Sequence, residues 1–348
     1  MKILFIAPNY LPHIGGVEKH IYKLTNELLK DNHQVTILVQ KFDSSYKDYE
    51  KLDNLEIIRL SKKENKIFNR VYKALYMLKF LKSIKQFDII HIHDYSTFEM
   101  FILPIYLILR LLNRKIYITF HGYEGDIPPR KSVIKRRKLV ERLAYKNICI
   151  GDFIPKWYGT KTDVISYGGV DKVDDIQNLK ENYILFIGRL ANDTGIFDYI
   201  KAWGSVHQKY DKMQFIICGD GVLKDELDKY IIQNNIKNIV FKGFIYDVES
   251  YIKDAKVIFT AGYLGILEAF SYKKNTIAIY DNELKKDYLT MIPNYDEMMW
   301  VSDSKLKNII SSLEDALKNK TKKEMAYQYA CENSWTKVKE ECYRLWEI

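Results

Sequence analysis

Several features in the second half of the sequence could together hold a nucleotide diphosphate. Arg189 follows a predicted strand, and its guanidinium can bind phosphate oxygens in pairs. Gly262 and Gly265 begin a predicted helix, where backbone N–H groups favour anions. Glu268 lies one turn further on, suited to accept hydrogen bonds from ribose hydroxyls, and the backbone around Phe244 could face a flat base. Each feature is weak alone, but their order and spacing indicate such a site.

Two glycines and a histidine in the first half are further candidates. Gly15 and Gly16 open a predicted helix, and their missing side chains let a ligand approach backbone N–H groups. The spacing is not that of a GxGxxG motif or a P-loop, so an ordinary turn is the alternative. His121 ends a predicted strand and can donate or accept a proton near neutral pH. A ligand-binding role and a structural role both stay open for it.

Alternating histidines in the segment DIIHIHD suggest a metal site. His91 and His93 would share one face of a strand, and Asp94 would point the other way. No cysteine or further histidine is close by in the sequence, so no metal is expected. A polar strand end that faces a cleft is the favoured interpretation.

The elements that must position these residues alternate between short apolar strands and amphipathic helices. This pattern predicts an α/β fold with two Rossmann-like, doubly wound parallel-sheet domains that face a cleft. The first domain is predicted at residues 1–172 and the second at 173–333, with a polar linker at 171–182. The C-terminal segment 334–348 is predicted as a final helix, in which Ser334 is the N-cap and residues 335–346 are helical.

The positive charge is concentrated in one half of the chain. Residues 1–170 carry 29 basic and 17 acidic side chains, whereas residues 171–348 carry 25 and 28. Such asymmetry points to an anionic partner for the first half, which could be a nucleic acid, an anionic lipid or an acidic substrate, with a generic lysine-rich surface as the alternative. The segment 131–138 (KSVIKRRK) predicts a basic amphipathic helix that could lie on an anionic membrane, with a solvated charged face as the alternative. The apolar segment 101–112 is too short to span a bilayer, which needs about 20 residues.

The four cysteines are scattered and form no CxxC pair, which predicts free thiols and a cytoplasmic protein. Peripheral association with the inner face of the cell membrane is left open.

The order of the motifs resembles retaining glycosyltransferases of the family-4 type, which have the GT-B fold. The resemblance rests on PNYLPHIGGVEKH, DIIHIHD, ITFHG, ISYGGVD, ILFIGRL, FIICGDG, FKGF, GILEAF and the SW before the last helix. It implies that Gly15-Gly16 approach the donor phosphates and sugar, that His121 contacts the sugar, and that Glu268 binds ribose. It also implies that Arg189 and the helix start Gly262-Tyr263-Leu264-Gly265 stabilise the departing diphosphate. The last helix is expected to pack back on the first domain.

Two positions depart from the family pattern. Thr194 stands five residues after Arg189, where the family usually has a lysine that neutralises the diphosphate. Thr260 stands eight residues before Glu268, where the family has a first glutamate that contacts the sugar. An altered donor, a compensating basic residue elsewhere and lost catalysis are the three explanations.

The expected function is sugar transfer from a nucleotide-activated donor to a lipid-linked or glycan acceptor, with retention of configuration and without a cofactor. A non-catalytic protein that binds a sugar nucleotide or a partner enzyme is the alternative. A nucleic-acid-binding protein is suggested only by the pI of 9.0, and no RNA- or DNA-binding motif accompanies that charge.

Overall fold

The computed structural model describes residues 1–13, 15–174, 176, 181–245, 247–318 and 322–348. Ile14 of the predicted glycine loop, five residues of the predicted linker and Asn319 of a predicted helix lie outside these ranges. The chain forms two compact units: Met1–Ser166 with Trp335–Ile348, and Tyr167–Ser334. In the part of the chain that the structure describes, no helix has the length and apolar character needed to cross a bilayer.

The first unit contains an eight-stranded sheet. Its strands are β1 (Lys2–Ala7), β2 (Gln34–Gln40), β3 (Tyr49–Leu52), β4 (Leu55–Leu60), β5 (Ile89–His93), β6 (Ile116–Phe120), β7 (Lys146–Ile150) and β8 (Val164–Ser166). Their order is β3-β4-β2-β1-β5-β6-β7-β8, and all neighbours are parallel except β3 and β4. The apolar pattern predicts every strand except β3, a mostly exposed edge strand without apolar alternation.

The helices of this unit are α1 (Gly16–Lys30), α2 (Lys66–Ile84), α3 (Tyr95–Thr97), α4 (Tyr106–Leu111), α5 (Lys131–Leu143) and α6 (Phe153–Tyr158). The sequence pattern predicts a helix over residues 97–112, and the segment is helical but does not form one continuous α-helix. A π-helical turn (Phe98–Ile102) and a 3₁₀ turn (Leu103–Ile105) separate α3 from α4. Pro104 lies in that 3₁₀ turn, and a proline cannot donate the hydrogen bond that a continuous α-helix would need there.

The second unit contains a six-stranded, fully parallel sheet. Its strands are β9 (Tyr183–Ile187), β10 (Gln214–Cys218), β11 (Ile239–Gly243), β12 (Ala255–Thr260), β13 (Asn275–Tyr280) and β14 (Trp300–Asp303), in the order β11-β10-β9-β12-β13-β14. Its helices are α7 (Ile196–Val206), α8 (Lys224–Gln233), α9 (Glu249–Asp254), α10 (Tyr263–Ser271), α11 (Glu283–Thr290), α12 (Tyr295–Met298), α13 (Leu306–Lys318) and α14 (Lys322–Glu332). Two-sided burial of β9 and β12 explains their continuous apolar sequences.

The last helix, α15 (Trp335–Trp346), belongs to the first unit. It packs against α1, β7 and β8. Lys339 Nζ lies 2.6 Å from Asp31 Oδ2, and Trp335 and Trp346 are buried. Residues more than 150 positions apart therefore share one core.

Candidate active site

The strand order of the second unit reverses at β9. β10 and β11 lie on one side of β9, and β12, β13 and β14 lie on the other. Ligands of open parallel sheets bind outside the carboxyl ends of the strands at such a reversal. Ile187 pairs with Thr260 at these ends. The Gly188-Arg189 turn and the Ala261-Gly262 segment therefore begin side by side.

Arg189 is the only arginine between Arg142 and Arg344, and its side chain is 71% exposed. Its Nη2 donates to Asp193 Oδ2 at 2.7 Å. An exposed pair of this kind contributes about 0–1 kcal/mol to stability. Because the pair is weak, a diphosphate could replace the Asp193 carboxylate at the guanidinium at small cost.

A second glycine loop supports the arginine turn. Leu190 N–H donates to Asp220 O at 2.9 Å, and Leu223 N–H donates to Leu190 O at 3.1 Å. A Cβ at Gly219 would overlap the carbonyl oxygen of Gly188. Only glycine permits this approach of two backbones. The FIICGDG motif contributes to the family resemblance, but it does not by itself predict this supporting role of Gly219.

The predicted anion site at the start of α10 is built on a tyrosine pair. Gly262 is the extended N-cap of α10. Tyr263 N–H donates to Tyr288 Oη at 2.9 Å, and Tyr263 Oη donates to Tyr288 O at 2.7 Å. The two rings stack at a centroid distance of 4.0 Å. Tyr288 on α11 therefore uses the first N–H group of α10, and the N–H groups of Leu264 and Gly265 lie in the same first turn.

Lys285 is a functional candidate that the sequence pattern does not indicate. It lies on α11, is buried, and its Nζ donates to Ala261 O beside the α10 N-terminus. Burial lowers its pKa to about 8, while Asp193 raises that pKa and Arg189 lowers it. Lys285 therefore shares one electrostatic environment with Arg189. Nothing in the sequence distinguishes it from its neighbour Lys286, which is about half exposed.

The remaining predicted residues of this unit lie around the same edge of the sheet. Glu268 is half-buried on α10, one turn after the helix start. Phe244 is 48% exposed and follows β11. β11 is two strands from β9, or about 10 Å at the usual strand spacing. That distance suits a base at β11 and phosphates at β9.

The strand order of the first unit reverses at β1, and the predicted glycine loop follows that strand. β2 lies on one side of β1 and β5 on the other. Gly15 is the extended N-cap of α1, and Gly16 begins the helix. The buried Glu18 carboxylate lies 3.1 Å from His13 Nδ1, and a Cβ at Gly15 would come within 2.5 Å of it. Glu18 therefore places a carboxylate at the α1 N-terminus, a location that favours negative charge.

Four buried histidines pack together near this loop, and we call them the histidine network: His20 on α1, His91 and His93 on β5, and His121 after β6. The prediction that His91 and His93 share one face of a strand is confirmed, because their rings stack at 5.2 Å. The prediction that this polar strand end faces a cleft is wrong, because both side chains are fully buried. Among the described residues, no group of three or more His, Cys, Asp and Glu side chains could hold a metal ion.

The last helix determines the protonation pattern of this network. Trp346 Nε1–H donates to His91 Nδ1 at 3.0 Å, and an indole is only a donor, so His91 carries its proton on Nε2. That Nε2 lies 2.8 Å from Thr119 Oγ1. His93 Nδ1 and His121 Nε2 are 3.0 Å apart, and His93 Nε2 has no hydrogen-bond partner among the described residues. Burying a ring nitrogen that has no proton costs less free energy than burying an N–H group that has no acceptor. His93 therefore carries its proton on Nδ1 and donates a hydrogen bond to His121 Nε2. His121 must then carry its own proton on Nδ1.

The histidine network is uncharged at neutral pH. Burial lowers the pKa of His20 to about 4 and of His91 to about 3, and lowers those of His93 and His121 well below the ordinary value. Burial also raises the pKa of Asp94 to about 6, and its Oδ1 accepts the backbone N–H of His121 at 3.2 Å. His121 is therefore a neutral hydrogen-bonding group rather than a proton donor of the imidazolium type.

Two family descriptions match the chain. "Glycosyltransferase Family 4" matches residues 14–154, within the first unit. "Glycosyl transferases group 1" matches residues 171–332, within the second unit, so the two together cover most of the sequence. The chain belongs to the family-4 type of glycosyltransferases.

Curated relatives of this glycosyltransferase are bacterial and archaeal. An O-antigen chain mannosyltransferase C from Escherichia coli is 25% identical over 72% of this chain and 70% of its own length. A GalNAc-alpha-(1->4)-GalNAc-alpha-(1->3)-diNAcBac-PP-undecaprenol alpha-1,4-N-acetyl-D-galactosaminyltransferase from Campylobacter jejuni is 27% identical over 74% of this chain and 72% of its own length. An alpha-monoglucosyldiacylglycerol synthase from Streptococcus pneumoniae is 24% identical over 75% of this chain and 66% of its own length.

Solved glycosyltransferase structures share the fold. Staphylococcus aureus TarM, solved with fondaparinux, alpha-GlcNAc-glycerol and UDP, matches with a TM-score of 0.76 and 12% identity over all of both chains. Sucrose-phosphate synthase from Thermosynechococcus elongatus matches with a TM-score of 0.74 and 15% identity over 99% of this chain and 98% of its own. The predicted GT-B class, with two parallel-sheet α/β units, is confirmed.

The two positions at which this glycosyltransferase departs from its family have structural roles. Thr194 is buried, and its hydroxyl donates to Ala191 O at 2.7 Å and lies 3.0 Å from Arg189 O. Thr260 is buried at the end of β12, and a Cβ at Gly265 would overlap its Oγ1. Thr194 therefore stabilises the turn that carries Arg189, and Thr260 packs directly against Gly265 in the first turn of α10.

Helix α5 is the basic helix predicted to lie on a membrane. That prediction is wrong for Arg137, which does not face solvent. Arg137 is buried, with Nη2 donating to Glu124 Oε1 at 2.9 Å and to Gly122 O at 3.1 Å. Arg136 Nε donates to Glu99 Oε1 at 2.8 Å. Arg137 thus supports the loop after His121 instead of facing a membrane, and its burial follows from helix packing that charge alone does not reveal.

Proposed function

We propose that this glycosyltransferase takes its sugar from a nucleotide-activated donor bound by the second unit. One observation carries the proposal: Arg189, Lys285 and the first turn of α10 converge at the strand reversal between β9 and β12. Two positive side chains and oriented N–H groups supply the charge that a departing diphosphate needs. Glu268 binds the ribose, and the region of Phe244 faces the base.

In this proposal Lys285 supplies the positive charge that the family pattern would put at position 194. Asp193 raises the pKa of the Lys285 ammonium and Arg189 lowers it, so the ammonium lies close enough to both side chains to interact with them. The side chain comes from α11, so it replaces the missing lysine without occupying the same place in the sequence. Lost catalysis is then not required to explain Thr194.

Transfer is proposed to proceed with retention of configuration and without a protein base. The leaving phosphate takes the proton of the acceptor hydroxyl as the new glycosidic bond forms and the sugar–phosphate bond breaks. His121, neutral and protonated on Nδ1, donates a hydrogen bond to the transferred sugar, and the Gly15-Gly16 turn positions that sugar. No cofactor takes part in this scheme.

The acceptor is proposed to be lipid-linked. Among the relatives, one printed name includes PP-undecaprenol and another includes diacylglycerol. The proposed location is the inner face of the cell membrane, where such acceptors are presented to a peripheral enzyme. The net positive charge of residues 1–170 supports this location.

The test is isothermal titration of UDP, GDP and ADP into the full chain, with Arg189→Ala beside it. Loss of one bidentate phosphate contact should weaken the best nucleotide about 10- to 150-fold. Lys201→Ala, which removes a half-exposed cation on α7, is the matched control and should bind normally. Equal affinity of Arg189→Ala and the unchanged protein would contradict the phosphate assignment.

A non-catalytic binding protein is the second candidate, favoured by Thr260, which provides no carboxylate where the family has one. Donor hydrolysis and transfer assays separate the two candidates. Nucleotide binding without either reaction, across a panel of nucleotide sugars and lipid-linked acceptors, would support the binding protein.

A further inference from the structure

Helix α2 exposes more large apolar residues than it buries, and two of its buried residues are polar. Its buried positions are Asn69, Lys73, Met77 and Ile84. Lys73 is fully buried, and its Nζ donates to Gln40 Oε1. The most exposed side chains of the helix include large apolar ones, at Ile67, Phe68, Val71, Leu75 and Leu78. The hydrophobic effect normally buries large apolar side chains, so five exposed ones on a single helix point to an apolar contact outside the chain.

The neighbouring segment repeats this pattern. α2 packs against the π-helical and 3₁₀ turns that precede α4. Leu103, Leu107 and Leu111 recur every four residues and are exposed, with 74% of Leu107 and 83% of Leu111 accessible. We call the exposed apolar residues of α2 together with these three leucines the α2–α4 surface. Exposed apolar side chains grouped on elements that pack against each other indicate an interaction site.

The charges around this surface are nearly all positive. Residues 62–85 and 103–115 contain eleven basic side chains and a single acidic one, Glu64. Arg70 and Lys79 are exposed beside the apolar stripe, and the exposed Lys82 extends it. Most of the net positive charge of the first half therefore belongs to these segments and not to α5. Exposed Leu and Phe flanked by Lys and Arg match a lipid surface with anionic headgroups, whereas a nucleic acid would leave the apolar stripe in water.

We propose that the α2–α4 surface docks the glycosyltransferase on an anionic bilayer. The apolar side chains enter the boundary between headgroups and acyl chains, and Arg70, Lys79 and Lys82 bind headgroup phosphates. α2 lies in the plane of the membrane and does not cross it. The docking follows from the residues of this surface alone. It rests on the proposed function only in that a lipid-linked acceptor explains why the enzyme would bind a membrane.

The experiment is flotation of the full-length protein with vesicles of phosphatidylcholine alone and of phosphatidylcholine mixed two to one with phosphatidylglycerol. Phe68→Ser with Leu75→Ser removes apolar contact and should weaken binding to the mixed vesicles at least tenfold. Arg70→Gln with Lys79→Gln should weaken it about fivefold for each charge and reduce its salt dependence. Ile232→Ser, a 78% exposed apolar position on α8, is the matched apolar control.

Lys131→Gln with Lys135→Gln is the matched charge control, because both lysines are exposed on α5. The proposal requires that the two controls float normally and that all variants keep the unfolding temperature and nucleotide affinity of the unchanged protein. Loss of vesicle binding with intact nucleotide binding separates this proposal from the donor site, since Arg189→Ala should do the opposite.

Three results would overturn the proposal. The unchanged protein fails to float with the mixed vesicles, or the surface variants float as well as the controls. Alternatively, Phe68→Ser with Leu75→Ser converts a dimer into a monomer without a change in flotation, which would assign the surface to a second copy of the chain.

Discussion

Replacing Lys285 by methionine should weaken donor binding without lowering the stability of the protein. Methionine keeps most of the side-chain volume and removes the charge. A pKa lowered from 10.5 to about 8 means that the charged ammonium costs the folded protein about 3 kcal/mol at neutral pH. The lost hydrogen bond to Ala261 O offsets about 2 kcal/mol of that gain. The variant without ligand should therefore be as stable as the unchanged protein, or about 1 kcal/mol more stable.

Donor affinity should fall in the same variant. A charge-assisted hydrogen bond to phosphate contributes about 1.5–3 kcal/mol to binding. Its loss should raise the dissociation constant of a nucleoside diphosphate about 10- to 150-fold. Titration calorimetry with UDP, or with GDP or ADP if either binds better, measures this loss. The matching free nucleoside has no phosphate and should bind both proteins equally. Lys286→Met, at the half-exposed neighbouring position on the same helix, is the control and should change neither quantity.

The pH dependence gives an independent readout. The pKa of Lys285 in the folded protein lies below its unfolded value, so the cost of burying its charge is fully present below about pH 8 and disappears as pH rises toward 10.5. The affinity advantage over Lys285→Met should be complete at neutral pH and decrease above about pH 8. Equal diphosphate affinity in the two proteins would refute the assignment. A fall of several degrees in unfolding temperature would instead make Lys285 a structural residue.

Three further results are expected. Asp193→Asn should strengthen nucleoside diphosphate binding a few-fold in calorimetry, because it releases Arg189 from its ion pair, and weaker binding would contradict this. Gly219→Ala should lower the unfolding temperature by several degrees and reduce donor binding, since its Cβ would overlap Gly188 O, and a normal unfolding temperature would be inconsistent with that packing. In urea unfolding followed by fluorescence, stability should fall as pH drops below about 6.5, because the histidine network binds protons only when unfolded. The raised pKa of Asp94 stabilises the folded protein as pH falls, but it is one group against the four histidines. A free energy of unfolding that does not fall between about pH 6.5 and 5 would therefore contradict the burial of the histidine network.

The sequence predicts best where one residue pattern has one structural solution. Continuous apolar strands followed by amphipathic helices require covered parallel sheets, so nearly all strands and the GT-B class are predictable. The elements β14, α11 and α12 are not, because Glu283–Thr290 is largely polar and β14 is a half-buried edge strand. Missing α11 also meant missing Lys285 and Tyr288, which contact the start of α10 from that helix.

The sequence by itself determined which loops follow the strands, and therefore where Arg189, Gly262 and Glu268 could meet a donor. Motif spacing suffices for this because parallel strands bring all their carboxyl ends to one edge. Only the tertiary structure decided which charges are buried. Lys285 and Lys286 are adjacent and of the same residue type, yet helix packing buries one and leaves the other about half exposed. The same packing buries Arg137 on α5 and leaves large apolar side chains of α2 exposed, because burial depends on what lies opposite a residue and not on its type.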